Sequence, residues 1–298
     1  MQKICFIGLG MMGSPMAARL AQAGYPLWVA DADAGRARQF AAEHGASAVA
    51  LAERALPAVD VVITMLPNSA IVESVLLGAD GKGEADGLLP QLAAGTCVID
   101  MSSSEPLRSR ALAATLAARG VQFLDAPVSG GVKRAVDGSL AIIVGGDAVL
   151  FEAQKSLLAC MGKSLFHVGP AGAGHAVKAL NNYVSAAGLV AAVEALRVGE
   201  RFGVDPAVIT DVLNVSSGSN NTTLNKVKQF MLNGAFNSGF SLQLMAKDLG
   251  IAMQLGRDLE YPMALGEECL ALWTNAAKSL DRTADHTEMY RLLGGDAQ

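Results

Sequence analysis

Three groups of residues have types and spacings that could do chemistry. The first is Gly8-Leu9-Gly10-Met11-Met12-Gly13, a G-x-G-x-x-G run directly after the apolar KICFI and directly before a helical pattern. In that context the first glycine permits a tight turn, the second lets a pyrophosphate reach the backbone, and the third lets helix and strand pack closely. The helix N-terminus then offers N–H groups to the anion. Asp31 stands 18 residues past Gly13, at the end of the next apolar run. A carboxylate there accepts hydrogen bonds from a ribose diol and repels a ribose phosphate, so the expected cofactor is NAD. NADP is the less favoured alternative, because Arg36 and Arg38 follow closely and can pair with a phosphate. Capping the following helix is the other use of an aspartate at 31.

The second group is Asp125-Ala126-Pro127-Val128-Ser129-Gly130-Gly131, which ends an apolar run with a hydroxyl and two small residues. Their N–H groups could form a nest for a carboxylate, and the same residues also make an ordinary surface turn. The third is Lys178, one helical turn from Asn181 and Asn182, on a helix opened by Gly172-Ala173-Gly174. Ala176, Val177, Ala179, Leu180 and Tyr183 surround the lysine, so the amine and two amides are expected to line a cleft. His175 reads either as a partly exposed helix-start histidine or as a tuner of Lys178.

These residues need a scaffold, and the apolar runs supply it. KICFIGLG, YPLWVAD, VVITMLP, TCVIDMS, VQFLDAPV, LAIIVGG and SLFHVG alternate with helical stretches up to about residue 169. Runs of this kind suit strands buried on both faces, so the class is α/β, a doubly wound Rossmann sheet. VQFLDAPV and LAIIVGG are separated by a short glycine-rich polar link with no helical pattern, which suits an antiparallel pair. Leu66-Pro67 and Ser102-Ser103-Ser104-Glu105-Pro106 follow strands at their C-terminal ends, where open α/β sheets bind ligands. Ser103 is the ligand candidate there, and Ser104 is expected to cap the next helix. From Gly172 to Gly203 no proline occurs, consistent with one long helix of about 45 Å that leaves one domain and enters another. Further helices are expected after Asp205-Pro206, through Thr222 to Asn233, from Phe240 to Arg257, after Pro262 and near Thr287, ahead of a frayed GGDAQ tail. The expected division is residues 1–169, dinucleotide-binding, and 170–298, all-α.

Composition narrows the function classes. The 298 residues are 51% hydrophobic and 17% charged, with a net charge of -5 and no basic cluster, which argues against nucleic acid. With aromatics at only 5%, the apolar excess is mostly small and aliphatic, which favours a homo-oligomer, a dimer or tetramer. Cys5, Cys97, Cys160 and Cys269 are dispersed without a C-x-x-C pair and read as buried thiols in a reducing compartment. His44, His167, His175 and His286 show no ligand spacing, so no metal is expected. The N-terminal run reaches glycine too early for a signal peptide, and no uncharged apolar run approaches a membrane span, so the expected address is the cytoplasm.

FIGLGMMGSPMA, DAPVSGG, GAGHAVKALNN and FSLQLMAKDLG, in this order across nearly the whole chain, resemble the β-hydroxyacid dehydrogenases. That group includes 3-hydroxyisobutyrate dehydrogenase, tartronate semialdehyde reductase and L-serine dehydrogenase. The resemblance implies an N-terminal Rossmann domain and an all-α C-terminal domain joined by the long helix, with a substrate site between them. It implies that Lys178 is catalytic, that Ser129, Gly130, Gly131 and Asn182 surround a small carboxylate substrate, and that Phe240 and Asp248 close the site. It further implies that Leu66, Pro67, Ser103 and Lys247 meet the cofactor. The reaction would be reversible hydride transfer between nicotinamide and a 3-hydroxy acid or its semialdehyde, with Lys178 moving the hydroxyl proton.

Ser216-Ser217-Gly218-Ser219-Asn220-Asn221-Thr222-Thr223 departs from relatives that place a bulky aromatic after the Ser-Gly pair. Such a segment either favours a polar acid, such as glycerate, serine or threonate, or uses Thr222 to cap the next helix. Two other classes compete: a dinucleotide-binding module without turnover, and an imine reductase on the same fold. A lysine on an apolar face argues for the dehydrogenase over both.

Overall fold

The computed structural model describes residues 1–53, 56–78, 81 and 86–294. The chain divides into two compact units, Met1–Lys178 and Ala179–Gln298. The expected frayed tail lies outside the described residues, apart from Gly294.

The first unit is built on one nine-stranded sheet. Its strands are β1 (Ile4–Ile7), β2 (Leu27–Ala30), β3 (Ser47–Ala48), β4 (Val61–Thr64), β5 (Cys97–Asp100), β6 (Gln122–Asp125), β7 (Val128–Ser129), β8 (Leu140–Gly146) and β9 (Gly162–Gly169). The order β3-β2-β1-β4-β5-β6-β8-β7, with β9 also on β8, places the switch in winding direction beside β1. All pairs from β3 to β6 are parallel, while β6 and β7 each run antiparallel to β8. The seven apolar runs are all strands; two-residue β3 and β7 are too short to carry a pattern. The β9 run is an edge rather than a core strand: Phe166 is 54% exposed.

The helices are α1 (Gly13–Gln22), α2 (Ala34–His44), α3 (Ser69–Leu77), α4 (Pro106–Ala117), α5 (Gly131–Asp137) and α6 (Ala148–Leu158). Successive strand residues point to opposite faces. Ile4 and Phe6 join Met16, Leu20, Phe40 and Phe151 on one side, and Cys5 and Ile7 join Val72, Leu76, Leu112 and Leu116 on the other. Burying side chains of this size contributes about 1.5–3 kcal/mol each, which fixes both helix layers on the sheet. The link between β6 and β8 holds α5, a helix that the glycines concealed. Ser104 does not cap α4: Glu105 occupies that position without a side-chain bond, and the Ser104 hydroxyl donates to Asp100 at 2.8 Å.

In the chain that follows, α7 (Ala173–Phe202) is one unbroken helix of 30 residues that begins in the first unit and continues in the second. Then come α8 (Pro206–Asn214), α9 (Asn221–Asn225), α10 (Leu242–Asp258), α11 (Ala264–Ser279) and α12 (Met289–Gly294). The helix expected from Thr222 to Asn233 is interrupted at Lys226, after which Val227–Met231 forms a π-helical segment. Fully buried Trp273, with Leu189, Val193, Leu196, Met245 and Leu249, makes the core of the second unit. By length and composition α7 could cross a membrane, yet Ala186, Leu189, Val193 and Leu196 are packed inside this core.

Candidate active site

The glycine loop has the geometry that its spacing predicts. Gly8 sits at φ +100, and a Cβ there would lie 2.3 Å from the Met65 carbonyl oxygen. A Cβ on Gly13 would come within 1.9 Å of the Gly8 carbonyl oxygen, so helix α1 can approach β1 this closely only as glycine. Around Gly10 the space is open: a Cβ would meet nothing within 4 Å. Two crowded glycines thus shape the turn, and the third leaves a bare backbone face of the kind a pyrophosphate occupies. Met12 precedes α1 and makes no side-chain cap bond.

Asp31 is tied to this loop. Its Oδ2 accepts the Leu9 N–H at 2.7 Å and its Oδ1 accepts the Asp33 N–H at 2.9 Å. Capping of α2 belongs to Asp33, which accepts from Gly35 and Arg36, so the cap use of Asp31 is ruled out. Arg36 pairs with Asp31 at 3.1 Å, which commits one of the two arginines that could meet a ribose phosphate. At the end of β4, Leu66 donates its N–H to the Ser102 hydroxyl at 2.9 Å, which joins Leu66-Pro67 to the segment carrying Ser103.

Ser129 ends β7 and is half-buried; Gly130 and Gly131 follow at φ +137 and +68, before and at the start of α5. Lys178 is 9% exposed. Val177 and Leu180 are each 40% exposed, so the apolar neighbours read from the sequence divide between two sides of α7. Asn182 is buried and follows Lys178 by one turn of the same helix, whereas Asn181 is exposed and donates to Asn182 at 3.1 Å.

His175 is 1% exposed and not the partly exposed residue expected. Its Nε2 lies 3.0 Å from the Ser102 carbonyl oxygen, which can only accept, so Nε2 carries a proton. Nδ1 is 2.8 Å from the Ser109 hydroxyl. Asp125, fully buried, accepts the N–H of Gly172 at 2.7 Å and of His175 at 2.8 Å. Asp100 accepts from the Thr64 and Ser104 hydroxyls and from the Ser102 N–H. Sequence reading gave the carboxylates of Asp100 and Asp125 and the Ser109 hydroxyl no role, and offered His175 only the alternative of tuning Lys178, although an aspartate ending a strand and a histidine just past Gly172-x-Gly174 were visible signals.

In the second unit, Asn182 donates to Asp248 at 2.6 Å, and Lys247 lies 3.8 Å from the same carboxylate. Phe240 is half-buried and edge-on to His286 at 5.7 Å between ring centroids. Burial lowers Lys226 to about 8, against the attraction of Asp285. Burial, with help from Lys226, lowers His286 to about 4. In the polar segment, Asn220 caps α9 by accepting from Thr222 and Thr223, and Thr223 completes a capping box. Thr222 is therefore not the cap, and Asn220 and Thr223 are committed to local structure. Ser216 to Ser219 are exposed. Among the described residues no cluster of three or more histidine, cysteine or acidic side chains could hold a metal. Cys5, Cys97 and Cys269 are buried as expected, and Cys160 is only half-buried.

The family pattern described as the NAD binding domain of 6-phosphogluconate dehydrogenase matches residues 3–169. A second, the NAD-binding domain of NADP-dependent 3-hydroxyisobutyrate dehydrogenase, matches residues 172–293. NAD-dependent L-serine dehydrogenase of Pseudomonas aeruginosa is 38% identical over 92% of this chain and 91% of its own. 2-(Hydroxymethyl)glutarate dehydrogenase of Eubacterium barkeri is 37% identical, over 88% of this chain and 85% of its own. Mycobacterium tuberculosis 3-hydroxyisobutyrate dehydrogenase, solved with L-serine, superposes with a TM-score of 0.89 at 33% identity, covering 98% of this chain and 99% of that one. On these matches, which run across both halves of the molecule, the chain belongs to the β-hydroxyacid dehydrogenase family.

Proposed function

We propose that this chain is an NAD-dependent oxidoreductase that interconverts a small 3-hydroxy acid and its semialdehyde by hydride transfer. The observation that carries this reading is Lys178, a lysine only 9% exposed as a residue, three residues past a helix turn held by a buried carboxylate. Burying an ammonium is costly, and a held amine is suited to proton transfer. In reduction the Lys178 ammonium donates its proton to the developing alkoxide; in oxidation the amine accepts the hydroxyl proton. The nicotinamide, when bound, supplies or takes up the hydride.

Gly8, Leu9, Gly10, Met11, Met12, Gly13 and Asp31 would hold the dinucleotide, with Leu66, Pro67, Ser103 and Lys247 contributing. The open face at Gly10 and the carboxylate beside the loop support this assignment. Ser129, Gly130, Gly131, Asn181, Asn182, Phe240 and Asp248 would bind the substrate. Residues 1–169 would then act as the dinucleotide domain and 170–298 as the substrate and oligomerisation domain of a cytoplasmic dimer or tetramer, with no nucleic acid or membrane partner. The relatives' names favour substrates from 3-hydroxyisobutyrate to L-serine.

A panel of 3-hydroxyisobutyrate, L-serine, glycerate and threonate with NAD and NADP, followed by nicotinamide absorbance, tests the reading. Turnover of at least one acid with NAD is expected; a preference for NADP of about tenfold, or about 1.4 kcal/mol, overturns the cofactor assignment. Activity at the wild-type level in Lys178→Ala would remove the lysine's role.

A further inference from the structure

We propose that Asp125 and His175 are positioning residues that aim Lys178, an inference that rests on the proton-transfer role given to that lysine above. Asp125 is the last residue of β6, and the chain runs from it through Ala126-Pro127-Val128 to Ser129. Both of its oxygens are spent on the start of α7, accepting from Gly172 at 2.7 Å and His175 at 2.8 Å. Backbone N–H groups in a helix's first turn lack an intrahelical partner. A carboxylate from a distant strand thus does for α7 what a local cap does for other helices.

The His175 side chain adds a second pair of ties from the same residue. Its Nε2–H donates to the Ser102 carbonyl oxygen at 3.0 Å, and Nδ1 is hydrogen-bonded to the Ser109 hydroxyl at 2.8 Å. The ring therefore binds α7 to the β5–α4 connection and to α4 itself. Two glycines make the approach possible. A Cβ on Gly174 would stand 2.4 Å from the Ile143 carbonyl oxygen, and one on Gly145 would stand 2.4 Å from Asp125 Oδ1.

Direction is what this cluster supplies. Buried polar groups of this number do not add stability over apolar packing of equal volume. They do fix which way a helix turn faces. Lys178 follows His175 by three residues, a rise of about 4.5 Å on the same helix, so rotation of the first turn carries the ammonium with it. The same Asp125 leads into Ser129-Gly130-Gly131, so one carboxylate sets both the lysine's helix and the strand that delivers the proposed substrate loop. A misplacement of about 1 Å at a reacting group lowers rates by about 100-fold.

The test uses the full chain with L-serine and 3-hydroxyisobutyrate as substrates and NAD as the hydride acceptor, and NADH affinity is read separately by fluorescence. His175→Leu loses both ring bonds, His175→Gln keeps a donor for Ser102, and Ser109→Ala removes one partner with little change in volume. Expected for His175→Leu is a kcat lowered by about 10- to 100-fold with NADH affinity unchanged, largely restored in His175→Gln. Ser109→Ala should fall between them and serves if His175→Leu does not fold. Unchanged kcat in folded His175→Leu, or kcat and NADH affinity lost together, overturns the inference, as does a glutamine variant no better than leucine. A second readout does not need turnover: after reductive ¹³C-methylation, the Lys178 resonance should move in His175→Leu and Ser109→Ala and return in His175→Gln. If the wild-type chain oxidises neither acid, the proposed reaction falls, and an unmoved resonance separately overturns the positioning role.

Discussion

His175 and His286 are both almost completely buried, one in each unit, at 1% and 3% exposure, yet their rings are held differently. Each nitrogen of His175 has a partner, a carbonyl on one side and a hydroxyl on the other. In His286, Nδ1 donates to the Phe240 carbonyl oxygen at 2.9 Å while Nε2, equally buried, has no hydrogen-bond partner. A ring with both nitrogens engaged fixes the backbone that carries it. A ring with one unmet acceptor is left to burial and to the neighbouring Lys226, which together lower its pKa to about 4. Burial alone is therefore a poor guide to what a polar residue does; the count of partners separates a device that sets direction from a local cost.

The largest effects should break the first half of this comparison. Lys178→Ala should lower kcat by about 100- to 10,000-fold while NADH still quenches or enhances fluorescence on binding; normal turnover would leave the anchored helix with nothing to aim. Gly174→Ala forces a Cβ to within 2.4 Å of Ile143 and 2.9 Å of Asp125 Oδ2, both held in the sheet. Overpacking there should cost about 3 kcal/mol and be seen as a lower urea midpoint. Gly10→Ala is the control, since a Cβ there meets nothing within 4 Å: the midpoint should stay put and only dinucleotide affinity should fall. Equal destabilisation by the two substitutions would mean that the glycines serve packing alike, and the pyrophosphate assignment would lose its support.

The glycine loop was legible in the sequence because two of its glycines answer to backbone sterics, and sterics depend on neighbours one strand away. The strands were legible for a similar reason: continuous apolar runs such as VVIT have one stable use in a sheet covered on both faces. The helix α5 and the break at Lys226 were not, since glycines mask a seven-residue helix and a π segment keeps the apolar pattern of an α-helix. The role of Asp125 was hidden by distance. Its partners are 47 and 50 residues away, and no local spacing points from a strand end to a helix start so far along the chain. The polar segment shows the opposite error: Asn220 and Thr223 looked available for a ligand, and local capping had already claimed them.

Acid should expose the second half of the comparison. The folded-state pKa of His286, about 4, lies below its ordinary 6.5, so the unfolded chain binds more protons between those values. Stability from this group is present above pH 6.5 and is lost as pH falls through 4, amounting to about 3 kcal/mol when lost in full. His286→Phe should flatten melting temperature against pH across that window; wild-type and variant curves that stay parallel would show that the ring is protonated in the fold or partnered in solution.

The smallest expected effect tests the partner count on neighbouring threonines of one helix. Thr222 and Thr223 are only 1% and 2% exposed, so burial gives no reason to treat them differently. Thr223 shares its hydroxyl with the Asn220 N–H and carbonyl, while the Thr222 hydroxyl oxygen has no partner. Valine has nearly the same shape as threonine, so each substitution removes a hydroxyl and little else. Thr223→Val should cost about 1 kcal/mol through the lost capping box, and Thr222→Val should be neutral or stabilise by a similar amount. Chemical denaturation of the two variants side by side decides it. If both lose stability equally, the Thr222 hydroxyl is hydrogen-bonded in the folded chain and partner count does not separate the two threonines.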